Sequence, residues 1–132
     1  MRHNEPRVSA LLLVAHGSRR EASNQEIRAL AARLRTHPGN RFARVEAAFL
    51  ELARPSIPEG IEQSIQAGAS EVIVYPYFLS AGRHVAEDIP AQVRPKQLEY
   101  PQAQILIADH LGTAAGLPEL IFAQVGVHGH EG

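Results

Sequence analysis

The hydrophobic residues of this chain fall into four short continuous runs separated by longer periodic stretches. The runs are rich in Val, Leu and Ile, which is typical of strands covered on both faces of a parallel sheet. The predicted strands are residues 8–15, 45–50, 71–77 and 104–108. In the first stretch between them, apolar residues recur every three or four positions among Arg and Glu, which predicts an amphipathic helix. Strands therefore alternate with helices along the chain.

This alternation predicts the fold class. Right-handed crossovers between successive strands give a parallel sheet with helices on both faces. We therefore predict a single three-layer α/β domain over residues 1–132, with a four-stranded parallel sheet wound as in flavodoxin. Residues 1–7 and 126–132 are predicted to be flexible tails.

Proline and capping residues indicate where the later helices begin and end. Ser56 is predicted to cap the second helix, which carries a proline in its first turn. The third helix is predicted to run from residue 83 towards residue 98, kinked or divided by Pro90 and Pro95. The last helix is predicted to cover residues 118–125.

Composition and charge limit the kinds of function that the chain can have. With 13 Lys and Arg against 14 Asp and Glu, the net charge of −1 gives no broad attraction to nucleic acid or anionic membranes. The chain has no cysteine, so disulfides and thiolate metal sites are excluded. The apolar run 10–15 is too short for a signal peptide or a membrane span, so we expect a soluble cytoplasmic protein.

Three residues that can bind metal follow three of the predicted strands. His16 comes directly after the first strand, Glu51 after the second, and His84 a few residues beyond the third. Because sites in such sheets lie beyond the carboxyl ends of the strands, we expect these side chains to face one crevice. Two imidazoles and a carboxylate suit a divalent first-row metal and leave coordination positions open for exchange. The sequence therefore predicts a metal-transfer site.

Other interpretations of these polar residues remain open. Each histidine can instead be a loop imidazole bonded to backbone or water. Glu51 can cap a neighbouring helix or pair with Arg54. His110, after the fourth strand, can join the site or serve a turn, and the tail residues His128 and His130 can capture metal weakly.

Basic residues lie close to the same strand ends. Their guanidinium groups can grip substrate carboxylates, although a solvated surface charge is the simpler interpretation for any one of them. Arg20 is among them. The residues predicted to bind substrate are Ser18, Arg19, Arg54, Ser80 and Arg83.

Four sequence blocks carry a family resemblance. They are VAHGSRREASN (14–24), FLELARPSI (49–57), VYPYFLSAGRHVAEDIP (74–90) and YPQAQILIADHLG (100–112). Together they resemble the short sirohydrochlorin chelatases, the small class II chelatases of cobalamin and sirohaem synthesis. The resemblance implies that His16 and His84 bind the incoming metal and that Glu51 assists metal binding or proton removal. It also implies a homodimer with facing clefts.

The activity implied by this resemblance is insertion of Co²⁺ or Fe²⁺, with Ni²⁺ also possible, into sirohydrochlorin. No cofactor beyond this substrate metal is expected, and no Walker-type glycine loop is present in the sequence for ATP. A non-enzymatic metal or tetrapyrrole carrier would use the same crevice. A histidine phosphatase also places His-Gly after an apolar strand, but Ala15 stands here where that family expects Arg.

Overall fold

A computed structural model describes residues 7–129 of the chain and confirms the predicted alternation of strands and helices. Each strand begins and ends within one residue of its predicted bounds. In chain order the elements are β1 (Ser9–Ala15), α1 (Glu21–Thr36), β2 (Arg44–Phe49), α2 (Ile57–Gln66), β3 (Glu71–Pro76), α3 (Arg83–Glu99), β4 (Gln104–Ile107), a 3₁₀ turn (Leu111–Thr113) and α4 (Leu117–Gly129).

The four strands form one parallel sheet in the order β2-β1-β3-β4. This is the flavodoxin-like winding that the sequence predicts. The central strand β1 pairs on both sides, so that Leu12 lies between Glu46 of β2 and Val74 of β3. All four carboxyl ends therefore meet at one edge of the sheet, which we call the carboxyl edge.

Alternate residues of β1 pack against helices on opposite faces of the sheet. Leu12 and Val14 are fully buried in a cluster with residues of α2 and α3. Leu13 lies on the other face, in a second buried cluster with Ala31 of α1. The predicted three-layer arrangement is confirmed.

Of the two predictions for the third helix, kinked or divided at its prolines, division is wrong. Helix α3 is continuous from Arg83 to Glu99 with Pro90 and Pro95 inside it. A proline in a helix interior removes one hydrogen bond and costs about 3 kcal/mol. Ile89 and Val93 are almost completely buried against the sheet, so their packing holds the helix together across both prolines.

The predicted end of the last helix is also wrong. Helix α4 continues past residue 125 to Gly129, because one internal glycine costs only about 1 kcal/mol relative to alanine. His128 therefore lies in helical backbone, whereas His130 and the rest of the predicted tails, 1–6 and 130–132, lie outside the described residues. Arg7, placed in the predicted N-terminal tail, donates a hydrogen bond of 3.2 Å to Glu71 at the start of β3.

None of the helices within residues 7–129 is long and apolar enough to cross a membrane.

Candidate functional site

His16 and Glu51 lie in contact at the carboxyl edge. The last residues of β1 and β2 are paired in the sheet, so the residues that follow them are neighbours. The Glu51 backbone N–H donates to the His16 carbonyl at 3.1 Å, and His16 Nε2 lies 2.8 Å from Glu51 Oε2. Both side chains are more than half exposed, at 53% and 57%. The structure thus places an accessible imidazole–carboxylate pair where the sequence predicts one.

The backbone around this pair adopts two left-handed conformations. Gly17 has φ +97°, and a Cβ added there would lie 1.8 Å from the Glu51 carbonyl oxygen. Only glycine therefore lets the loops after β1 and β2 approach so closely. Leu52, directly after Glu51, has φ +68° and a side chain, which costs on the order of 1–2 kcal/mol. Such strain is characteristic of functional sites.

Asn24 fixes the loop that follows His16. It lies in the second turn of α1, is only 3% exposed, and bonds to both backbone groups of Ser18. Its Oδ1 accepts the Ser18 N–H at 3.0 Å, and its Nδ2 donates to the Ser18 carbonyl at 2.8 Å. Sequence reasoning missed this residue. The signal was a polar residue three positions before Ile27 and seven before Ala31, on the buried stripe of the helix.

The loop after β2 is held by charged side chains. Arg28 of α1 stacks over the Phe49 ring, 5.2 Å from its centroid, and donates to the Arg54 carbonyl at 3.0 Å. The Arg54 guanidinium donates to Glu59 at 2.6 Å, and Glu59 also completes a capping box with Ser56, the residue predicted to cap α2. The hydrogen bond from Arg54 lowers the pKa of Glu59 below its usual value.

These contacts decide between two interpretations left open by the sequence. Arg54 pairs with Glu59 and Ser56 caps α2, so Glu51 is neither the partner of Arg54 nor the cap of that helix. The Glu51 carboxylate instead meets His16. The interpretation of Glu51 as a structural ion pair with Arg54 is therefore wrong.

His84 lies in the first turn of α3 and is not joined to this pair. Its side chain is 89% exposed, and its Nε2 lies 3.4 Å from Asp88 Oδ2, one helical turn further along α3. Within residues 7–129, no group of three or more His, Asp or Glu side chains is close enough together to hold a metal ion. Sequence reasoning also missed Asp88, although its spacing of four residues from His84 places both on one helix face.

The predicted substrate-binding residues differ in whether their side chains are exposed or are bonded to the protein itself. Arg19 and Ser80 are exposed, and the Arg83 side chain reaches into solvent apart from a 3.3 Å contact with Glu87. The Ser18 hydroxyl, by contrast, accepts the Arg20 N–H at 3.0 Å and so serves its own loop. The segments that follow β1 and β3 therefore each present an exposed guanidinium group.

The segment after β4 packs against the loop after β3. The Gly112 N–H donates to the Phe78 carbonyl at 2.9 Å, and a Cβ on Gly112 would lie 1.7 Å from the Leu79 carbonyl oxygen. The His110 carbonyl accepts the Thr113 hydroxyl at 2.7 Å, which supports a turn role for His110. This contact braces the loop that leads to His84.

Comparison with protein families gives a match over nearly all of the described chain. Residues 10–126 match the family model described as CbiX. The chain is 36% identical over 105 residues to the chloroplastic sirohydrochlorin ferrochelatase of Arabidopsis thaliana, covering 80% of this chain and 46% of that protein. It is 39% identical over 83 residues to the sirohydrochlorin cobaltochelatase of Methanocaldococcus jannaschii, covering 63% of this chain and 57% of that protein.

The chain thus spans about half the length of the curated relatives it matches. A solved structure of similar length is a cobalamin biosynthesis CbiX protein from Marinobacter aquaeolei VT8. The two are 27% identical, with a TM-score of 0.76 over 94% of this chain and 99% of that one. The fold described above is therefore found in a chain of almost the same size.

Proposed function

Because this chain belongs to the CbiX family, we propose that it is a class II chelatase that inserts a divalent metal into sirohydrochlorin. The observation that carries the proposal is the His16–Glu51 pair, accessible at the carboxyl edge where such sheets hold their sites. The names of the relatives, sirohydrochlorin ferrochelatase and cobaltochelatase, supply the reaction. They also lead us to propose Fe²⁺ or Co²⁺ as the substrate metal, with Ni²⁺ possible.

The geometry of the pair supports a role in holding that metal. His16 Nε2 and Glu51 Oε2 are 2.8 Å apart. Two donors at this separation can each lie about 2.1 Å from one ion. We assign His84 as the further ligand, because its exposed side chain extends from the same edge of the sheet and is free to change rotamer. A site with three protein ligands leaves coordination positions open. The macrocycle nitrogens can bind the metal there and then replace the protein ligands.

Metal insertion also requires the removal of two protons. Two pyrrole N–H groups lose their protons as the M²⁺ ion binds all four ring nitrogens, so the net charge of the ring and metal is balanced. The Glu51 carboxylate and the imidazole released from the metal would accept these protons, and their contact at 2.8 Å supports this role. We propose no cofactor besides the substrate metal and no requirement for ATP.

The remaining predicted residues would bind the substrate rim. Sirohydrochlorin carries carboxylates around its ring, and the exposed guanidinium groups of Arg19 and Arg83 can pair with them. Arg54, already bonded to Glu59, retains an exposed guanidinium face. Ser80 is exposed beside Arg83, whereas Ser18 contributes by shaping the loop after His16.

The proposal includes a homodimer that works in the cytoplasm, with no nucleic acid or membrane partner. The net charge of −1 supports the last two points, since it provides no broad attraction to phosphate or anionic lipid.

The test is anaerobic metal insertion into sirohydrochlorin, followed by loss of the free-ring absorption spectrum. We expect His16→Ala and His84→Ala each to lower the insertion rate at least about 100-fold, since each removes a metal ligand. His37→Ala is the matched control, because His37 follows α1 at the opposite edge of the sheet. Near wild-type rates in both ligand variants would contradict the proposal.

Turnover separates this enzyme from a metal or tetrapyrrole carrier that uses the same site. An enzyme forms many metallated rings per chain, whereas a carrier forms at most one. A product yield that stops at one ring per chain would favour the carrier.

A further inference from the structure

One face of α1 carries a row of polar side chains that reaches both loops of the histidine–glutamate pair. Glu21, Asn24 and Arg28 are spaced by three and four residues, so they lie on the same face of the helix. Asn24 holds the loop after β1, and Arg28 holds the loop after β2. Glu21, the first residue of α1, bonds to both of these side chains.

The two oxygens of the Glu21 carboxylate are divided between the two loops. Oε1 accepts a hydrogen bond from Asn24 Nδ2 at 3.2 Å, and Oε2 accepts one from Arg28 Nη1 at 2.8 Å. Arg28 Nη2 in turn donates to the Arg54 carbonyl at 3.0 Å. The hydrogen bonds from Asn24 and Arg28 lower the pKa of Glu21 below its usual 4.5, so the carboxylate is charged at neutral pH. A continuous path of hydrogen bonds therefore runs from one loop to the other.

We propose that Glu21 is a positioning residue, which joins the loop after β1 to the loop after β2 and thereby fixes the separation of His16 and Glu51. Asn24 is only 3% exposed, and both backbone groups of Ser18 fix the orientation of its amide, so its contact with Glu21 is directional. The inference rests on the proposed function, which assigns His16 and Glu51 to the metal. Because an exposed ion pair adds little to global stability, the effect of Glu21 should be local.

Glu21→Gln separates this role from that of a simple exposed side chain. Glutamine has the same size, but its amide has one oxygen that accepts and one nitrogen that donates. Asn24 Nδ2 and Arg28 Nη1 are both donors, so the variant must lose one of the two contacts. Glu26→Gln is the matched control, because Glu26 is exposed on the same helix and undergoes the same chemical change.

The test is amide hydrogen exchange, measured by NMR on the whole chain without metal. The Ser18 N–H reports on the loop after β1, and the Glu51 N–H, bonded across to that loop, reports on the loop after β2. In Glu21→Gln we expect both to exchange about fivefold faster, the factor that the net loss of one hydrogen bond gives, and in Glu26→Gln less than about twofold faster. Acceleration of one amide only, of neither, or of all α1 amides equally would overturn the proposal.

A second variant tests whether the connection passes through Glu21. Arg28→Lys keeps the charge but replaces the guanidinium fork with one nitrogen, so it cannot reproduce the bonds to both Glu21 and the Arg54 carbonyl. We expect this change to speed exchange at Ser18, at the far end of the path, about threefold in the wild-type background and less than about 1.5-fold in Glu21→Gln. Equal effects in the two backgrounds would contradict the proposal.

Binding of Co²⁺ alone, followed by the visible absorption of the ion, measures the consequence for the site. Loss of a group that orients a metal ligand typically lowers metal affinity about 10- to 100-fold. Because Glu21 acts through further side chains, we expect the Kd for Co²⁺ to rise about fivefold in Glu21→Gln. In the insertion assay, KM for the metal should rise by the same factor, with kcat within about twofold of the wild type. Faster amide exchange with unchanged Co²⁺ affinity would also overturn the positioning role.

Failure of this proposal and failure of the proposed function are distinguishable, because amide exchange is measured without metal or tetrapyrrole. A wild-type chain that neither binds nor inserts Co²⁺ rejects the chelatase, and exchange at Ser18 and Glu51 then decides the role of Glu21 by itself. Intact insertion by the wild type, without faster exchange in Glu21→Gln, rejects the positioning role alone.

Discussion

The two halves of the carboxyl edge differ in how firmly they hold their polar residues. On the β1–β2 side, His16 and Glu51 touch each other, and the loop after His16 is bonded on both backbone groups to buried Asn24. On the β3–β4 side, His84 is 89% exposed, and its side chain is near only Asp88 of its own helix among the ionisable residues described. The β1–β2 side, which we call the built half, therefore has its polar side chains already in contact. The β3–β4 side, which we call the open half, exposes His84 to solvent.

Packing explains this difference. Helix α1 lies against β1 and β2 and carries Asn24 and Arg28, which hold the two loops of that side. On the same face, Ile73 of β3 is only half-buried and Leu106 of β4 is exposed. If the proposed function holds, the preformed His16–Glu51 pair would bind the metal without reorganising, and the exposed His84 would be free to move with the metal towards the ring. Under that proposal, capture and delivery of the metal would be divided between the two sides.

The largest expected effect comes from Gly17→Ala in the built half, which is compared with Gly82→Ala in the open half. In Gly17→Ala, the new Cβ would overlap the Glu51 carbonyl, and the left-handed φ of +97° would be strained. We expect a loss of about 2–5 kcal/mol in the free energy of unfolding, from the left-handed backbone and the overlap together. Because the overlap separates His16 from Glu51, insertion should fall at least about 100-fold. Denaturant unfolding and the insertion assay measure the two effects.

Gly82→Ala is the matched change on the open side. Gly82 precedes α3, and a Cβ there meets nothing within 4 Å. We expect a change below about 0.5 kcal/mol, as for other exposed positions. Equal losses in the two variants would remove the distinction between a built half and an open half.

The sequence predicted the fold because its signals are local and repeated. Four apolar runs, a capping serine at Ser56 and helical spacing in α1 are each sufficient to place an element. Right-handed crossovers then place helices on both faces of a sheet with the predicted flavodoxin-like winding. The contact between His16 and Glu51 was predictable for the same reason, since the ends of adjacent parallel strands must meet.

The errors arise where tertiary packing overrides a local signal. Pro90 predicts a kink or a division, and the burial of Ile89 and Val93 keeps α3 undivided. Gly17 and Asn24 could not be assigned positioning roles, because those depend on how closely the backbone after β2 approaches the loop after β1. Strand-end placement brought His84 to the correct edge but could not give its distance from the pair.

An intermediate effect is expected from Asn24→Ala, which tests whether the built half depends on one buried amide. The change leaves the Ser18 N–H and carbonyl without their partner in a buried loop, which costs about 1–3 kcal/mol. Insertion should fall about tenfold, less than for Gly17→Ala, because the His16–Glu51 contact itself remains. Gln25→Ala, on the exposed side of α1, is the control and should change stability by less than about 0.5 kcal/mol. A stable but inactive Asn24→Ala variant would show that Asn24 acts on chemistry more than on the loop.

The smallest expected effect is on stability at acidic pH, and it comes from the ion pair that holds the loop after Glu51. Bonding to Arg54 lowers the pKa of Glu59 in the folded chain below its usual 4.5. The carboxylate therefore stabilises the fold at pH values above 4.5, and this stability is lost as the pH falls through the lowered pKa. Glu59→Gln keeps the capping box but removes the charge, and Arg54→Gln removes the main cause of the shift. In denaturant unfolding, the free energy of unfolding should fall less between pH 5 and pH 3 in both variants than in the wild type. This difference from the wild type should be smaller than the loss that Asn24→Ala causes at pH 7. Parallel losses in all three chains would mean that this ion pair does not contribute to holding the built half.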